Sequence, residues 1–369
     1  MLTGRLMTQL SRSKVAPRNL FPRALTLLVA AFPAVSLLGV TPVAAWGDDV
    51  FQIANDDAGP LFDKAKVSVV QVRSGDKGFI NAGSGFFIDD HGTVLTSSTI
   101  LGENKTARVI INGVEMDAKI IGNDPRSGLA MLRASFDESP ALLFSHEGLK
   151  TGDAVMMIGF PMSLPVAYSQ GPVSGFDGSY LAQLDSSDGG KSVSAVERFA
   201  TTHIHANTAI NPGQVGGPLL NSRGEVVGMV ATSPDDGNSI YALPVEAMQK
   251  IIADFNLYGH ARHGWVGINV AVAPDTAHDG RTVRVVQVVA DTPASHSGIL
   301  PGDTIMRIDT REIYRPEDVL DASFFTHVGA NLTVVIRRET KLFDYTFAVI
   351  ERPAPPTAPS KAAVTAEGH

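Results

Sequence analysis

Cysteine is absent from this 369-residue chain. That excludes disulfides, thiolate metal sites, a cysteine nucleophile and a cysteine-linked lipid. Aromatic residues are scarce at 7%, and tryptophan occurs twice. Charged residues make up only 18%, with 38 acids against 30 bases, for a formal net charge of −8. That deficit of Lys and Arg argues against a nucleic-acid partner, because phosphate binding needs a cationic surface. No segment after residue 45 is apolar for long enough to span a bilayer. What is present is 44% apolar, with 35 Gly and 22 Pro. This balance excludes a coiled coil, collagen and a wholly disordered chain. The length allows two or three domains, each with its own core.

Charge is unevenly placed. Residues 1–45 carry Arg5, Arg12, Lys14, Arg18 and Arg23 and no acid, so the rest of the chain holds a formal −13. Residues 24–47 carry no charge, and Ala24–Val40 is an apolar run of 17 residues after that basic segment. The run is short for a span, and Pro33 and Gly39 interrupt it. Thr41-Pro42-Val43-Ala44-Ala45 then offers small residues for a peptidase. Residues 1–45 are therefore expected to be a secretory signal peptide cut after Ala45, with Met7 as a possible true start. An uncleaved anchor is the alternative. With the signal removed, no transmembrane span is expected.

The segment from Val67 to about Val230 reads as short strands. Candidates are Val67–Arg73, Gly85–Ile88, Val94–Thr96, Ala107–Ile111, Ala118–Ile121, Asp153–Ile158 and Glu225–Val230. Many short strands between turn residues imply an all-β barrel or sandwich. A helix is expected over Pro244–Phe255, with Pro244 in the first turn. Residues 175–200, rich in Gly, Ser and Asp, read as a long surface loop. Residues 258–264 form a linker. A smaller module spans 265–351, with strands near Thr282–Val289, Asp303–Ile308 and Leu332–Arg337 and a helix near Pro316–Thr326. The Pro/Ala-rich tail, 352–369, is expected to be disordered.

Several blocks occur in a fixed order: Gly83-Ser-Gly-Phe-Phe-Ile88, Leu95-Thr-Ser-Ser-Thr-Ile-Leu101, Gly122-Asn-Asp-Pro-Arg-Ser-Gly-Leu-Ala-Met-Leu132, Gly152–Pro161, Asn211-Pro-Gly-Gln-Val-Gly-Gly-Pro-Leu-Leu220, Gly224–Val230 and Ile240–Pro244. Over about 66–257 they closely resemble the protease domain of HtrA/DegP-type serine proteases. The resemblance implies a mainly β fold: a chymotrypsin-like pair of six-stranded barrels with the cleft between them. It also implies three catalytic positions. The histidine position is held by Thr99, the aspartate position by Gly128 and the serine position by Val215. Val215 has no electron pair to attack a carbonyl. Thr99 is no base near neutral pH. Gly128 cannot orient an imidazolium. Losing the nucleophile or the base alone costs about six orders of magnitude in rate.

The backbone amides of Gly213 and Val215 would still form an oxyanion hole, since they need no side chain. The stretch Gly228–Ala231 is expected to be an edge strand able to pair with a peptide. Ser97, Ser98 and Thr208 lie near these loops, but no histidine stands at the base position. His203 and His205 are alternate residues of a β-like run and should share one face. Alone they are a weak candidate metal pair, and two partly exposed strand histidines are the simpler expectation. His260 and His263 in the linker are expected to be exposed. No cofactor is expected.

The second module carries Gly264-Trp-Val-Gly-Ile268, Ala290-Asp-Thr-Pro-Ala-Ser-His-Ser-Gly-Ile299 and Leu300-Pro-Gly-Asp-Thr-Ile-Met-Arg-Ile308. It resembles a PDZ domain, in the order found after HtrA protease domains. Asp309-Thr310 departs from the Asn-Gly of relatives at one turn. By resemblance, Trp265, Val266, Gly267 and Ile268 form a carboxylate-binding loop, and the 316–326 helix forms the facing wall. Successive backbone N–H groups there can capture a C-terminal carboxylate, and the strand beyond can accept a peptide strand.

Together these readings imply a periplasmic, inactive HtrA-like pseudoprotease that binds protein C-termini, unfolded segments or a partner protein. The resemblance implies a homotrimer, with Trp46, Phe51 and Phe62 in the 46–65 segment as candidate apolar contacts. A hydrolase with relocated residues and a metal-binding protein using His203 and His205 are the alternatives.

Overall fold

A computed structural model describes residues 58–75, 81–185, 192–233, 237–275 and 280–353. The expected signal peptide, Trp46, Phe51 and the tail from residue 354 lie outside the described residues.

Helix α1 (Ala58–Ala65) opens the described chain and tightens into a 3-10 turn at Lys66–Ser68. The first strand therefore starts at Val69 rather than Val67. Six strands follow: β1 (Val69–Ser74), β2 (Asn81–Phe87), β3 (Thr93–Ser97), β4 (Ala107–Ile111), β5 (Val114–Asp124) and β6 (Leu129–Ala134). The short helix α2 (Ser98–Leu101) leaves β3. The strands close into a barrel in the order β1-β2-β3-β6-β5-β4. Its interior is filled by Val72, Phe87, Val94, Leu101, Val109 and Leu132, all fully or nearly fully buried. The β2–β3 turn is tied by Asp89, whose carboxylate accepts from the amides of His91 and Thr93.

A second barrel is built from β7 (Ala154–Gly159), β8 (Ala167–Asp185), β9 (Ser192–Ala206), β10 (Pro218–Leu220), β11 (Val226–Thr232) and β12 (Ile240–Pro244), in the order β10-β11-β12-β9-β8-β7. Residues 175–185 and 192–200 are not a loop. They extend β8 and β9 into one long antiparallel hairpin, in register from Ser179 opposite Arg198 to Asp185 opposite Ser192. Its cross-strand ladder satisfies the backbone that Gly, Ser and Asp would otherwise turn outward.

Helix α3 (Val245–Tyr258) starts one residue later than expected. Pro244 is its N-cap, with extended backbone, and Gly259 ends it in the left-handed conformation. The helix returns from the second barrel to the first. Phe255 is 2% exposed and sits where a Cβ on Gly122 would lie 2.4 Å from its ring. Burying that one side chain stabilises the join by about 2–3 kcal/mol. A shared core of Phe86, Leu95, Met156, Ile158 and Met229 continues the contact between barrels.

The C-terminal module has β13 (Gly264–Trp265), β14 (Ile268–Asp275), β15 (Gly280–Val288), helix α4 (Pro293–Ser297), β16 (Thr304–Ile308), β17 (Arg311–Glu312), helix α5 (Pro316–Phe325), β18 (Asn331–Arg338), β19 (Lys341–Ala348) and β20 (Ile350–Glu351). Its main sheet runs β14-β15-β16-β18-β19, so β14 is an edge; β13 pairs with β20. Val266, Val283, Ile305, Val319 and Val334 form its core. Asp303 of the Gly302-Asp303 pair is 2% exposed and takes a two-pronged bond from Arg338, at 2.7 and 2.8 Å. At the departing turn, Asp309 is left-handed (φ 48°) and its carboxylate accepts the Thr333 amide, so the turn survives without Asn-Gly.

The module is fastened to the barrels by polar contacts. Asp321 of α5 accepts from Thr201 Oγ1 (2.7 Å), the Thr202 amide (2.8 Å) and Thr202 Oγ1 (2.9 Å) on β9. No helix among the described residues is long and apolar enough to cross a membrane.

Candidate functional site

The Gly-rich turn Asn211–Gly217 lies where the two barrels meet. Gln214, 2% exposed, braces it from inside: its side-chain carbonyl accepts the Asn211 amide at 2.8 Å. Ser84, from β2 of the other barrel, pins it from outside. The Ser84 amide donates to Val215 O (2.9 Å), and Ser84 Oγ donates to Gly213 O (2.8 Å) while accepting the Phe160 amide (2.9 Å). Gly213 and Gly216 both have positive φ, 94° and 86°. A Cβ on them would lie 2.6 Å from Phe160 O and 2.3 Å from Ser84 O, so only glycine fits. The sequence pattern does not single out Ser84; its signal was the lone hydroxyl between Gly83 and Gly85.

The three positions implied by resemblance converge here. Thr99 is exposed in the first turn of α2, with Oγ1 2.8 Å from Ser97 Oγ. The neighbouring Ser98 amide donates to Gly128 O at 2.8 Å. Gly83 links this corner to the turn: a Cβ there would meet both the Ile100 side chain and Val215 O. Val215 is half-buried, with its side chain packed against the second barrel's core. Among the described residues, no histidine is hydrogen-bonded to a serine or threonine hydroxyl, the contact that activates a nucleophile. Among the same residues, the Gly213 and Val215 amides have no acceptor, as oxyanion donors require.

The expected edge at Gly228–Ala231 is not free. These residues belong to β11, paired with β10 on one side and β12 on the other. Val230 also donates to Gly217 O and accepts from the Gly216 amide, because closing the barrel consumes the ladder. Ala231 is a bulge between Val230 and Thr232.

His203 and His205 share a face of β9, as expected, but not as exposed ligands. His203 is 1% exposed and stacks on Phe199 with ring centroids 3.7 Å apart; its Nδ1–H donates to Thr201 O. Burial lowers its pKa to about 4, against the Thr201 bond, so it is neutral at physiological pH. His205 stacks on Tyr241 and lies 3.2 Å from an Asp177 carboxylate oxygen. Among the described residues there is no group of three or more His, Cys, Asp or Glu suited to a metal.

His263 was expected to be exposed. It is 8% exposed, with Nε2–H donating to Asp124 Oδ2 at 2.8 Å. Burial pushes the Asp124 carboxyl up, but the His263 bond and charge and the Ser127 and Arg126 contacts outweigh it and hold the carboxyl below its ordinary value. Asp124 is the first residue of Asp-Pro-Arg-Ser, four positions before Gly128. The linker is thereby anchored to the first barrel.

A cleft of about 1240 Å³ opens where this anchor meets the C-terminal module. Trp265, Val266 and Ile268 line one side, and Val319, Leu320 and Ser323 of α5 line the other. Gly267 is left-handed (φ 83°), and its carbonyl accepts the Val289 amide. The edge of β14 borders the same cleft through Asn269, Val270 and Ala271.

The chain is thus a trypsin-like double barrel followed by a PDZ domain. It matches the trypsin-like peptidase domain family over residues 83–229 and the PDZ domain family over 264–349. The putative serine protease HhoB of Synechocystis sp. is 27% identical over 276 residues, 70% of this chain and 64% of that protein. A probable periplasmic serine endoprotease DegP-like of Pseudomonas fulva is 30% identical over 267 residues, 69% of this chain and 53% of that protein. The chain therefore spans between about half and two thirds of these relatives' length. Among solved structures, the HtrA-type protease AlgW with tripeptide matches with a TM-score of 0.65 and 24% identity, over 80% of this chain and 98% of that one. The serine endoprotease from Yersinia pestis matches with a TM-score of 0.59 and 22% identity, over 80% and 98%. The chain thus carries a trypsin-like peptidase domain and a PDZ domain in that order, and is similar to proteins named as DegP-like and HtrA-type proteases.

Proposed function

We propose that this protein is a catalytically silent, periplasmic HtrA-like protein that binds peptides or protein C-termini, assembled as a homotrimer. The observation that carries the reading is Val215. It occupies the nucleophile position in a turn whose glycines, buried Gln214 and Ser84 clamp are otherwise intact. Thr99 and Gly128 at the other two positions leave no base and no group to orient one. The support for binding is the edge of β14, facing α5 across the cleft beside Trp265–Ile268. An extended ligand adds there by main-chain hydrogen bonds. Periplasmic location rests on the signal-like N-terminus and on relatives named as periplasmic.

The test pairs a fluorophosphonate probe with an unfolded protein substrate. The proposal expects no labelled band and no cleavage, while the full chain captures fluorescent C-terminal peptides. Stoichiometric labelling of a serine would establish a relocated nucleophile instead. Light scattering that gives a monomer would remove the trimer.

A further inference from the structure

The PDZ cleft is lined by two arginines, one contributed by the first barrel and one by the segment that follows β20. Arg126, from the β5–β6 turn of the first barrel, and Arg352, just after β20, both line it. They are close neighbours. Arg126 Nη2 donates to Pro353 O at 3.0 Å, and the Arg352 amide donates to His263 O at 2.8 Å. Among the described residues, neither guanidinium has a carboxylate partner. The nearby acids are already engaged: Asp124 with His263, and Glu351 with Arg262 at 3.2 Å. Partial burial and the charge of Arg126 both lower the proton affinity of Arg352, as expected for cations held together without a counter-ion.

The position of this pair is set by the sheet. β20 runs beside β13, with Glu351 opposite Gly264 and Ile350 opposite Trp265. Arg352 therefore lies next to the start of the Trp265–Ile268 loop. A peptide added antiparallel to β14 ends at Ile268, so its C-terminal residues approach this end of the cleft. The C-terminal part of α5 lies here too: a Cβ on Gly264 would be 2.2 Å from Ser323 O and 2.9 Å from Thr326 O. Glu317, the acid in the first turn of α5 that lines the cleft, stands six residues before Ser323, about 9 Å along the helix axis. Two arginines without a carboxylate partner among the described residues thus stand where a ligand would end, and Glu317 stands further upstream.

We propose that Arg126 and Arg352 form a recognition pair for an acidic side chain in the last residues of a peptide ligand, so that the barrel domain reads the PDZ ligand directly. This rests on the reading of the cleft as a C-terminal peptide site. Arginine suits the task because its planar fork pairs with carboxylates and remains charged.

The experiment uses the full chain and four fluorescent decapeptides with free C-termini. One is an Ala/Val-rich parent. The others carry a single Asp at the last, second-last or third-last position. At least one Asp peptide is expected to bind about fivefold tighter than the parent, with the gain shrinking as salt rises. The Arg126→Gln/Arg352→Gln double variant should lose that gain, binding the Asp peptides no tighter than it binds the parent. Arg352→Glu, a second route to the same charge loss, should make the Asp peptide the weaker ligand. If no Asp peptide outbinds the parent, or if the gain persists in the double variant, the arginine assignment is wrong and the peptide site stands. If none of the four peptides binds the wild type, both fall.

Discussion

The imidazole of His263 lies 2.8 Å from the carboxylate of Asp124, across the join between the PDZ linker and the first barrel. Both side chains are about nine-tenths buried. Removing one partner strands the other in a site with little water. His263→Ala should therefore cost about 2–3 kcal/mol in urea unfolding. Asp124 keeps weaker bonds from the Arg126 and Ser127 amides, which caps the loss. The sign with pH follows from the lowered Asp124 pKa. Its contribution is complete above the ordinary carboxylate value of 3.8 and disappears as pH falls through the lower, folded value. A His263→Ala protein should lose less stability than wild type over that acid range.

His203 gives a separate acid response at higher pH. Its folded pKa is about 4 against 6.5 for the free side chain. Between those values the unfolded chain binds the extra proton, so stability rises with pH across the window. Acidification should cost up to about 1.4 kcal/mol per pH unit, about 3 kcal/mol in all. His203→Phe keeps an aromatic ring against Phe199 but cannot titrate, so its urea midpoint should be flatter between about pH 6.5 and pH 4. An unchanged slope in the variant would assign the response to another group.

Gly128 stands at the position the resemblance gives to aspartate, and there the backbone itself opposes a side chain. Its backbone is left-handed (φ 82°), and a Cβ there would point at Ala231 Cβ, 3.7 Å away. There is room for Asp, but at a cost of about 1–2 kcal/mol in backbone strain. An imidazole without a correctly placed carboxylate loses about 10⁴ in turnover. Adding Gly128→Asp to Thr99→His/Val215→Ser should therefore give no gain in kcat/KM on an unfolded substrate. A gain of about a hundredfold would show that the loop still presents the carboxylate correctly.

Asp321 satisfies three donors on β9 from a single buried carboxylate. Asp321→Ala leaves those donors unpaired and should loosen the PDZ domain from the barrels, at about 1–3 kcal/mol. Small-angle scattering should show a larger radius of gyration for the variant. Asp321→Asn, which keeps one acceptor oxygen, should fall between the two. Identical curves for all three proteins would show that other contacts hold the domain.

The sequence pattern carried most of the fold because it follows local rules. Turn residues at Asp89–Gly92 and alternating apolar residues in β3 and β6 mark strands without knowledge of their neighbours. The Gly-rich turn was legible for the same reason, since Gly213 and Gly216 meet a backbone demand that other residues cannot. What escaped the sequence depends on distant partners. The β8–β9 extension has loop-like composition, and only its cross-strand pairing makes it a hairpin. Gly228–Ala231 looks like an edge until the barrel closes around it. His263 looks like a solvated linker residue until Asp124, 139 positions earlier, comes within hydrogen-bond reach. Ser84 and Asp321 likewise act on chain more than a hundred residues away.

The central claim, binding without cleavage, is tested most directly by following one sample in two ways. A fluorescent C-terminal peptide is mixed with the full chain; anisotropy reports binding, and mass spectrometry over about a day reports the peptide's length. The account predicts saturable binding with every peptide molecule intact, at a rate no different from buffer. Protein-dependent appearance of shorter fragments, abolished by a serine-directed inhibitor, would contradict it.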